Sequence, residues 1–194
     1  GLASNSRYSN LYWQEETYLN YNKTFNVDNR LNAMLGLSWT GYNSDYNYGY
    51  TEGFSDDFYS YYNMGVGTNP SAPESNNDHW TMNSYFLRGA YTYKERYSMT
   101  VTGRFDGSSK FGKNNKYAFF PSAGLAWIVS NEKFMKNVKT ISKLKLHTSY
   151  GVTGNSEIGT FKSLATTDAG TLLLNGGYSS YYKVKTMANP DLKW

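Results

Sequence analysis

The chain has 194 residues, of which 18% are aromatic, with 20 Tyr, and only 18% charged, for a formal charge of +4. It has no cysteine, which excludes a disulfide framework and a thiolate metal site. No run of about 18 apolar residues occurs, which excludes helical membrane spans, and Lys and Arg are too scattered for the dense basic face that nucleic acid requires.

Many aromatics with few charges suit a sheet that has one lipid face and one wet face better than a water-soluble domain. The chain opens GLASNSRYSN, without the basic region and apolar core of a leader, so a membrane reading expects the true N-terminus to lie elsewhere. Residues 11–21 suit a strand, although the adjacent Glu15 and Glu16 break its alternation. Residues 22–29 read as a polar connection. From Leu31 to Gly41, Leu31, Ala33, Leu35, Leu37 and Trp39 alternate with Asn32, Met34, Gly36, Ser38 and Thr40, the two-residue period of a strand.

Residues 42–80 read as one long loop rich in Tyr, Asn, Gly, Ser and Asp, a length that signals either function or a wrong assignment. Within it Tyr46, Tyr48, Tyr50 and Tyr59 are candidates to stack on a sugar ring or a peptide plane, with Asp56 and Asp57 hydrogen-bonding the ligand's polar edges. An ordinary surface loop packed on its own tyrosines fits equally well.

Alternation returns over 82–93, and Lys94, Glu95 and Arg96 turn the chain into a strand at 97–106. Further strands are expected at 118–129 and 143–151. Strands of 10 to 12 residues match a tilted bilayer crossing. The parity puts Tyr85, Tyr91, Tyr97, Phe105 and Trp127 toward lipid, and Arg88, Arg104, Asp106, Lys145 and His147 toward a wet lumen. Between strands, residues 131–139 space Phe134 and Val138 as one short helix would. Short links at 22–29, 94–96 and 130–142 alternate with longer ones at 42–80, 107–117 and 152–189, so the longer set is expected outside the cell.

Chemistry-bearing motifs are weak. Residues 107–113, GSSKFGK, approach a phosphate-binding loop, but Asn114 stands where Ser or Thr should hold magnesium and no helix follows. A hairpin loop is the better reading, with Gly107 and Gly112 at positive φ and Asp106 and Ser108 bonding the turn. The two histidines lack carboxylates at ligand spacing, and of the neighbouring acidic pairs Glu15 and Glu16 point to opposite faces of a strand while Asp56 and Asp57 sit in the long loop. No cofactor, metal or catalytic residue is expected, and the chain does not read as an enzyme.

Several short signatures occur in one order: Arg104-Phe105-Asp106-Gly107-Ser108-Ser109-Lys110-Phe111-Gly112, Phe120-Pro121-Ser122 with Trp127, Glu132-Lys133-Phe134, Leu144-Lys145-Leu146, Ser149 through Asn155, and Asn189 through Trp194. Together they resemble the SusC/RagA family of TonB-dependent outer-membrane transporters, most strongly over residues 80–160 and the last few positions. The resemblance implies an all-β, antiparallel transmembrane barrel of about 22 strands enclosing a plug. It further implies energy from the TonB complex, uptake of oligosaccharides or peptides, and a SusD-like surface lipoprotein as partner. On that reading residues 1–194 are a part of the barrel domain in the outer membrane of a Gram-negative bacterium, with outer-membrane lipid around it and the plug and remaining strands outside this stretch. The alternative is a soluble, Tyr-rich β-sandwich that binds glycans on one face, which requires short strands and a packed second sheet.

Overall fold

The computed structural model describes every residue except Asp57 and Asn175. The described residues form nine strands: β1 (Leu2–Asn26), β2 (Asn29–Glu52), β3 (Asn69–Pro70), β4 (Glu74–Tyr93), β5 (Tyr97–Ser108), β6 (Tyr117–Ile128), β7 (Lys145–Gly151), β8 (Thr166–Leu174) and β9 (Gly177–Thr186). Seven make one sheet in the order β1-β2-β4-β5-β6-β7, with the short β3 paired to the far end of β2, while β8 and β9 form a separate antiparallel hairpin. Sequential neighbours joined by tight links are antiparallel by construction. At Tyr93–Arg96, Lys94 and Glu95 both adopt positive φ (52° and 54°), and Arg96 N donates to Tyr93 O at 3.0 Å. Positive φ at both central positions matches the right-handed twist of the flanking strands.

Residues 1–13 with 40–81 form one compact unit and residues 14–39 with 82–194 a second. In the second, cross-strand register fixes the faces. Tyr85 opposes Phe105 and Phe105 opposes Phe119; Tyr91, Met99 and Leu125 line up; and Tyr93, Tyr97, Trp127 and Leu146 follow. The other face carries Ser84 with Asp106, Phe86 with Arg104, Arg88 with Thr102, and Ala126 with His147. The alternation read at 97–106 is therefore continued by three neighbouring strands.

The sheet is a single layer. Among the described residues the buried apolar side chains are Ala3, Phe54, Phe111 and Val129, whereas Leu87, Met99, Phe119 and Leu125 are about half exposed or more. A soluble sandwich needs two inner faces interdigitating in a core, and the described residues build no such core. The sandwich alternative is thereby removed.

Four sequence expectations are corrected. Residues 42–80 are not one loop: β2 runs on to Glu52, β4 begins at Glu74, and a 3-10 turn occupies Ser60–Val66. The expected connection at 22–29 shrinks to residues 27–28, because β1 runs for 25 residues. Residues 131–139 form no α-helix but two 3-10 turns, Val129–Asn131 and Lys133–Met135; the Glu132 backbone between them is extended, which breaks the helical ladder. Residues 152–189 contain the β8–β9 hairpin rather than an unstructured link.

Gly107 and Gly112 also differ from expectation, since neither is among the positive-φ residues. Their bare Cα atoms serve close approach instead. The ring of Tyr117 lies over Gly107, and a Cβ on Gly112 would strike the Pro190 carbonyl.

Candidate functional site

Arg104 sits near the loop end of β5 on the polar face. Its Nε donates to both oxygens of Asp106, at 2.8 and 2.7 Å, and its Nη2 donates to Ser84 Oγ at 2.9 Å. Two residues on one strand share a face, and Ser84 lies opposite Asp106 on β4, so the strand period assembles this triad. Its guanidinium carbon lies 5.8 Å from the centroid of the Phe86 ring, which in turn meets Tyr18 at 5.9 Å. A cation held over an aromatic face gains a further electrostatic attraction. The Asp106 side chain is 9% exposed and that of Arg104 42%, so the carboxylate forms the floor and the guanidinium reaches toward solvent.

Beside this pair opens a cleft of about 430 Å³, lined by Thr102, Arg104, Asp106, Phe120, Ser122 and Trp194 among others. Its aromatic wall is built from three distant pieces of sequence. Phe111, 1% exposed, stacks on Trp194 with centroids 4.5 Å apart, and Phe120 meets the same indole edge-on at 5.5 Å. Backbone bonds tie the wall down: Gly112 N donates to Leu192 O at 2.9 Å, Asn114 N to Pro190 O at 3.2 Å, and Trp194 Nε1 to Lys116 O at 3.1 Å. Asn114 and Asn115 each donate a side-chain amide to Asp191, and Lys110 Nζ reaches Ser156 O at 3.3 Å. Three signatures quoted above, at 104–112, 149–155 and 189–194, are thus parts of one contact.

The remaining sequence-derived candidates fall as follows. Arg88 lines a smaller hollow of about 250 Å³ with Asn20, Asn22 and Asn32. Lys145 and His147 share the face of Arg104 through their partners Ile128 and Ala126, but β7 is exposed throughout and neither lines the cleft. Tyr46, Tyr48 and Tyr50 are strand residues of β2, not loop residues. Tyr46 approaches Tyr8 at 6.2 Å, while Tyr50 donates to Glu52. Tyr59 sits at the start of the 3-10 turn against Phe58, and Asp56 Oδ1 accepts from Phe58 N at 2.9 Å, a local turn bond. Asp57 lies outside the described residues.

Sequence reading missed Ser84, Phe111, Phe120 and Trp194 as site residues, and in the first unit Tyr42 and Trp80, whose rings stack at 6.0 Å. For Phe111, Phe120 and Trp194 a signal existed, since all three lie in the quoted signatures. Chemically the cleft offers a charge-balanced pair, the four hydroxyls of Thr102, Ser122, Thr153 and Ser156, and aromatic edges, a donor set for a polar ligand. The Asp106 carboxylate, held by two bonds from one guanidinium, is poorly placed as a general base. Among the described residues no cluster of His, Asp and Glu could hold a metal ion.

A single-layer antiparallel sheet with an aromatic, exposed face and a polar opposite face is the wall of a transmembrane β-barrel. The whole of residues 2–194 matches the family described as TonB dependent receptor-like, beta-barrel, and the chain belongs to that family, whose members reside in the outer membrane of Gram-negative bacteria. Among curated relatives, TonB-dependent receptor P3 of Formosa agariphila is 36% identical over 179 residues, covering 92% of this chain and 18% of its own. TonB-dependent receptor SusC of Bacteroides thetaiotaomicron is 46% identical over 79 residues, covering 41% of this chain and 8% of its own. A solved structure titled as the RagAB peptide transporter superposes with a TM-score of 0.91 at 27% identity, covering 98% of this chain and 21% of the other. The chain thus spans about a fifth or less of the length of the proteins it matches.

Proposed function

We propose that residues 1–194 form one arc of the barrel of an outer-membrane importer that takes up oligosaccharides or peptides, is energised through TonB, and works with a SusD-like surface lipoprotein. The carrying observation is the division of faces: Tyr85, Tyr91, Tyr97, Phe105 and Trp127 share one face, which we read as the lipid side, while Arg88, Arg104, Asp106, Lys145 and His147 share the other, which we read as the lumen side. The two-residue link at 27–28 and the three-residue turn at 94–96 belong to the periplasmic rim, and the segments at 53–73 and 109–116 belong to the cell exterior. β1 and β2, of 25 and 24 residues, are each more than twice as long as the roughly 9–11 residues a crossing requires, and Tyr46, Tyr48 and Tyr50 lie in the second half of β2. The arc acts by binding and walling; it performs no covalent chemistry.

The test is uptake by cells expressing the intact transporter. Arg104→Ala with Asp106→Ala removes the polar floor of the cleft without leaving a lone charge, and is expected to reduce uptake of the native nutrient while the barrel still reaches the outer membrane. Uptake at the wild-type rate would remove the cleft from the ligand path. Replacing Asp56 and Asp57 together by Ala applies the same test to the exterior loop.

A further inference from the structure

The lipid-side face carries a second concavity. A groove of about 800 Å³ crosses β4 to β7 beside the 94–96 turn, lined mainly by the lipid-side Tyr91, Tyr97, Met99, Leu125, Trp127 and Leu146, with His147 also bordering it where β7 is the last strand of the sheet. Three rings form a ladder along it: Tyr93 and Tyr97 stack at 6.4 Å and 24°, and Tyr97 and Trp127 at 6.5 Å and 11°. The ladder is pinned from the turn side. Glu132 accepts from Tyr97 OH at 2.6 Å and from Trp127 Nε1 at 3.1 Å, and pairs with Arg96 at 3.2 Å. The groove is therefore held open by hydrogen bonds to its rim and is more than a gap between mobile side chains.

The rim is strongly cationic. Residues 28–30, 94–96 and 132–144 hold seven Lys and Arg against three carboxylates, an excess as large as the chain's whole formal charge of +4. These segments meet in space: Lys94 N donates to Asp28 O, Asn131 Nδ2 donates to Glu95 O at 2.8 Å, and Arg30 pairs with Glu95. Two of the three carboxylates are thus matched by Arg30 and Arg96, and the lysines make up the surplus. Lys94 Nζ lies 5.0 Å from the Tyr93 ring centroid, at the mouth of the groove.

We propose that this groove seats one anionic glycerophospholipid of the bilayer leaflet next to the short turns. Its acyl chains lie along Met99, Leu125 and Leu146, its glycerol sits at the level of Tyr97 and Trp127, and its phosphate is drawn to Lys94 and the lysines of 133–143. An apolar trough that ends in amphipathic rings and then cations reproduces the depth profile of a single phospholipid. A second copy of the chain is disfavoured, because its own cationic rim would be brought against this one. The inference rests on the membrane placement of this face and not on import, so the two readings fail separately.

The test is native mass spectrometry of the intact transporter in detergent, offered equal amounts of phosphatidylglycerol and phosphatidylcholine with the same acyl chains. The expected result is one phosphatidylglycerol retained under activation that strips phosphatidylcholine. The triple variant Lys94→Gln, Lys133→Gln and Lys136→Gln is expected to lower that retention about fivefold for each charge that faces the phosphate, leaving phosphatidylcholine binding and nutrient uptake unchanged. Leu125→Trp, which fills the trough, should lower retention of both lipids. Equal retention of the two lipids by the wild type overturns the proposal, and that comparison needs no variant to fold. Undiminished phosphatidylglycerol retention in the triple variant, or a dimer that excludes lipid from this face, overturns it as well.

Discussion

Trp194 stacks on Phe111 at 4.5 Å, in a chain where few apolar side chains are buried, and that contact joins the hydrogen bonds of Gly112, Asn114 and Asn115 in closing the loop after β5 against residues 189–194. Truncating a buried aromatic to Ala costs about 3–5 kcal/mol where the surroundings cannot collapse. Phe111→Ala is expected to release residues 108–116 and 189–194 together while the strands remain. Hydrogen exchange in the intact protein would show both segments losing protection, and loss in only one would refute the coupling.

Gly112→Ala should reproduce that release by a different route, because the new methyl group would meet the Pro190 carbonyl, a backbone atom that cannot rotate away. Gly124→Ala is the control: its nearest neighbour would be Ser149 Cβ at 3.6 Å, an ordinary contact. Protease sensitivity of residues 109–116 should rise in the first variant and not in the second.

Arg104→Met strands the Asp106 carboxylate on its floor. Because the arginine is 42% exposed, water partly screens the loss, and a cost on the order of 1–2 kcal/mol is expected rather than that of a fully buried pair. Arg104→Lys should recover little, since one ammonium cannot span both carboxylate oxygens and Ser84 at once. A double-mutant cycle with Ser84→Ala, read by thermal unfolding in detergent, would measure the coupling.

Glu132 predicts a pH dependence. Hydrogen bonds from Tyr97, then from Trp127, and the nearby Arg96 charge hold its carboxyl below the ordinary glutamate value of 4.5. A folded value below the unfolded one means that the carboxylate stabilises the turn fully above about pH 4.5 and loses that contribution as pH falls through the folded value. Melting temperature followed by tryptophan fluorescence should therefore decline below pH 4.5, with a weaker decline in Glu132→Gln. Identical pH profiles for the two proteins would eliminate this role.

The strands at the centre of the chain were legible because a lipid face and a wet face impose opposite chemistry on successive residues, as at Met99, Thr100, Val101 and Thr102. The signal vanishes where both faces are wet. From Tyr42 to Glu52 every residue of β2 is still strand, with Tyr42, Ser44, Tyr46, Tyr48 and Tyr50 on one parity and Asn43, Asp45 and Asn47 on the other, so neither parity is apolar and composition mimicked a loop. The helix expected at 131–139 failed for another reason: Glu132 is drawn out of helical geometry to serve Tyr97 and Trp127, a tertiary demand invisible to spacing. Of the site, Arg104 and Asp106 were readable from parity alone, whereas Ser84, Phe120 and Trp194 required knowledge of which strands and loops meet.

The contact among the 108–116 loop, residues 151–156 and residues 189–194 also sets a rule for recombination between relatives. These three stretches look like independent cassettes in the linear chain, yet each supplies bonds that the others need. Exchanging residues 108–116 alone would transplant Phe111 without its indole and Asn114 without its aspartate. A chimaera meant to alter what the cleft receives must carry all three stretches as one heritable block.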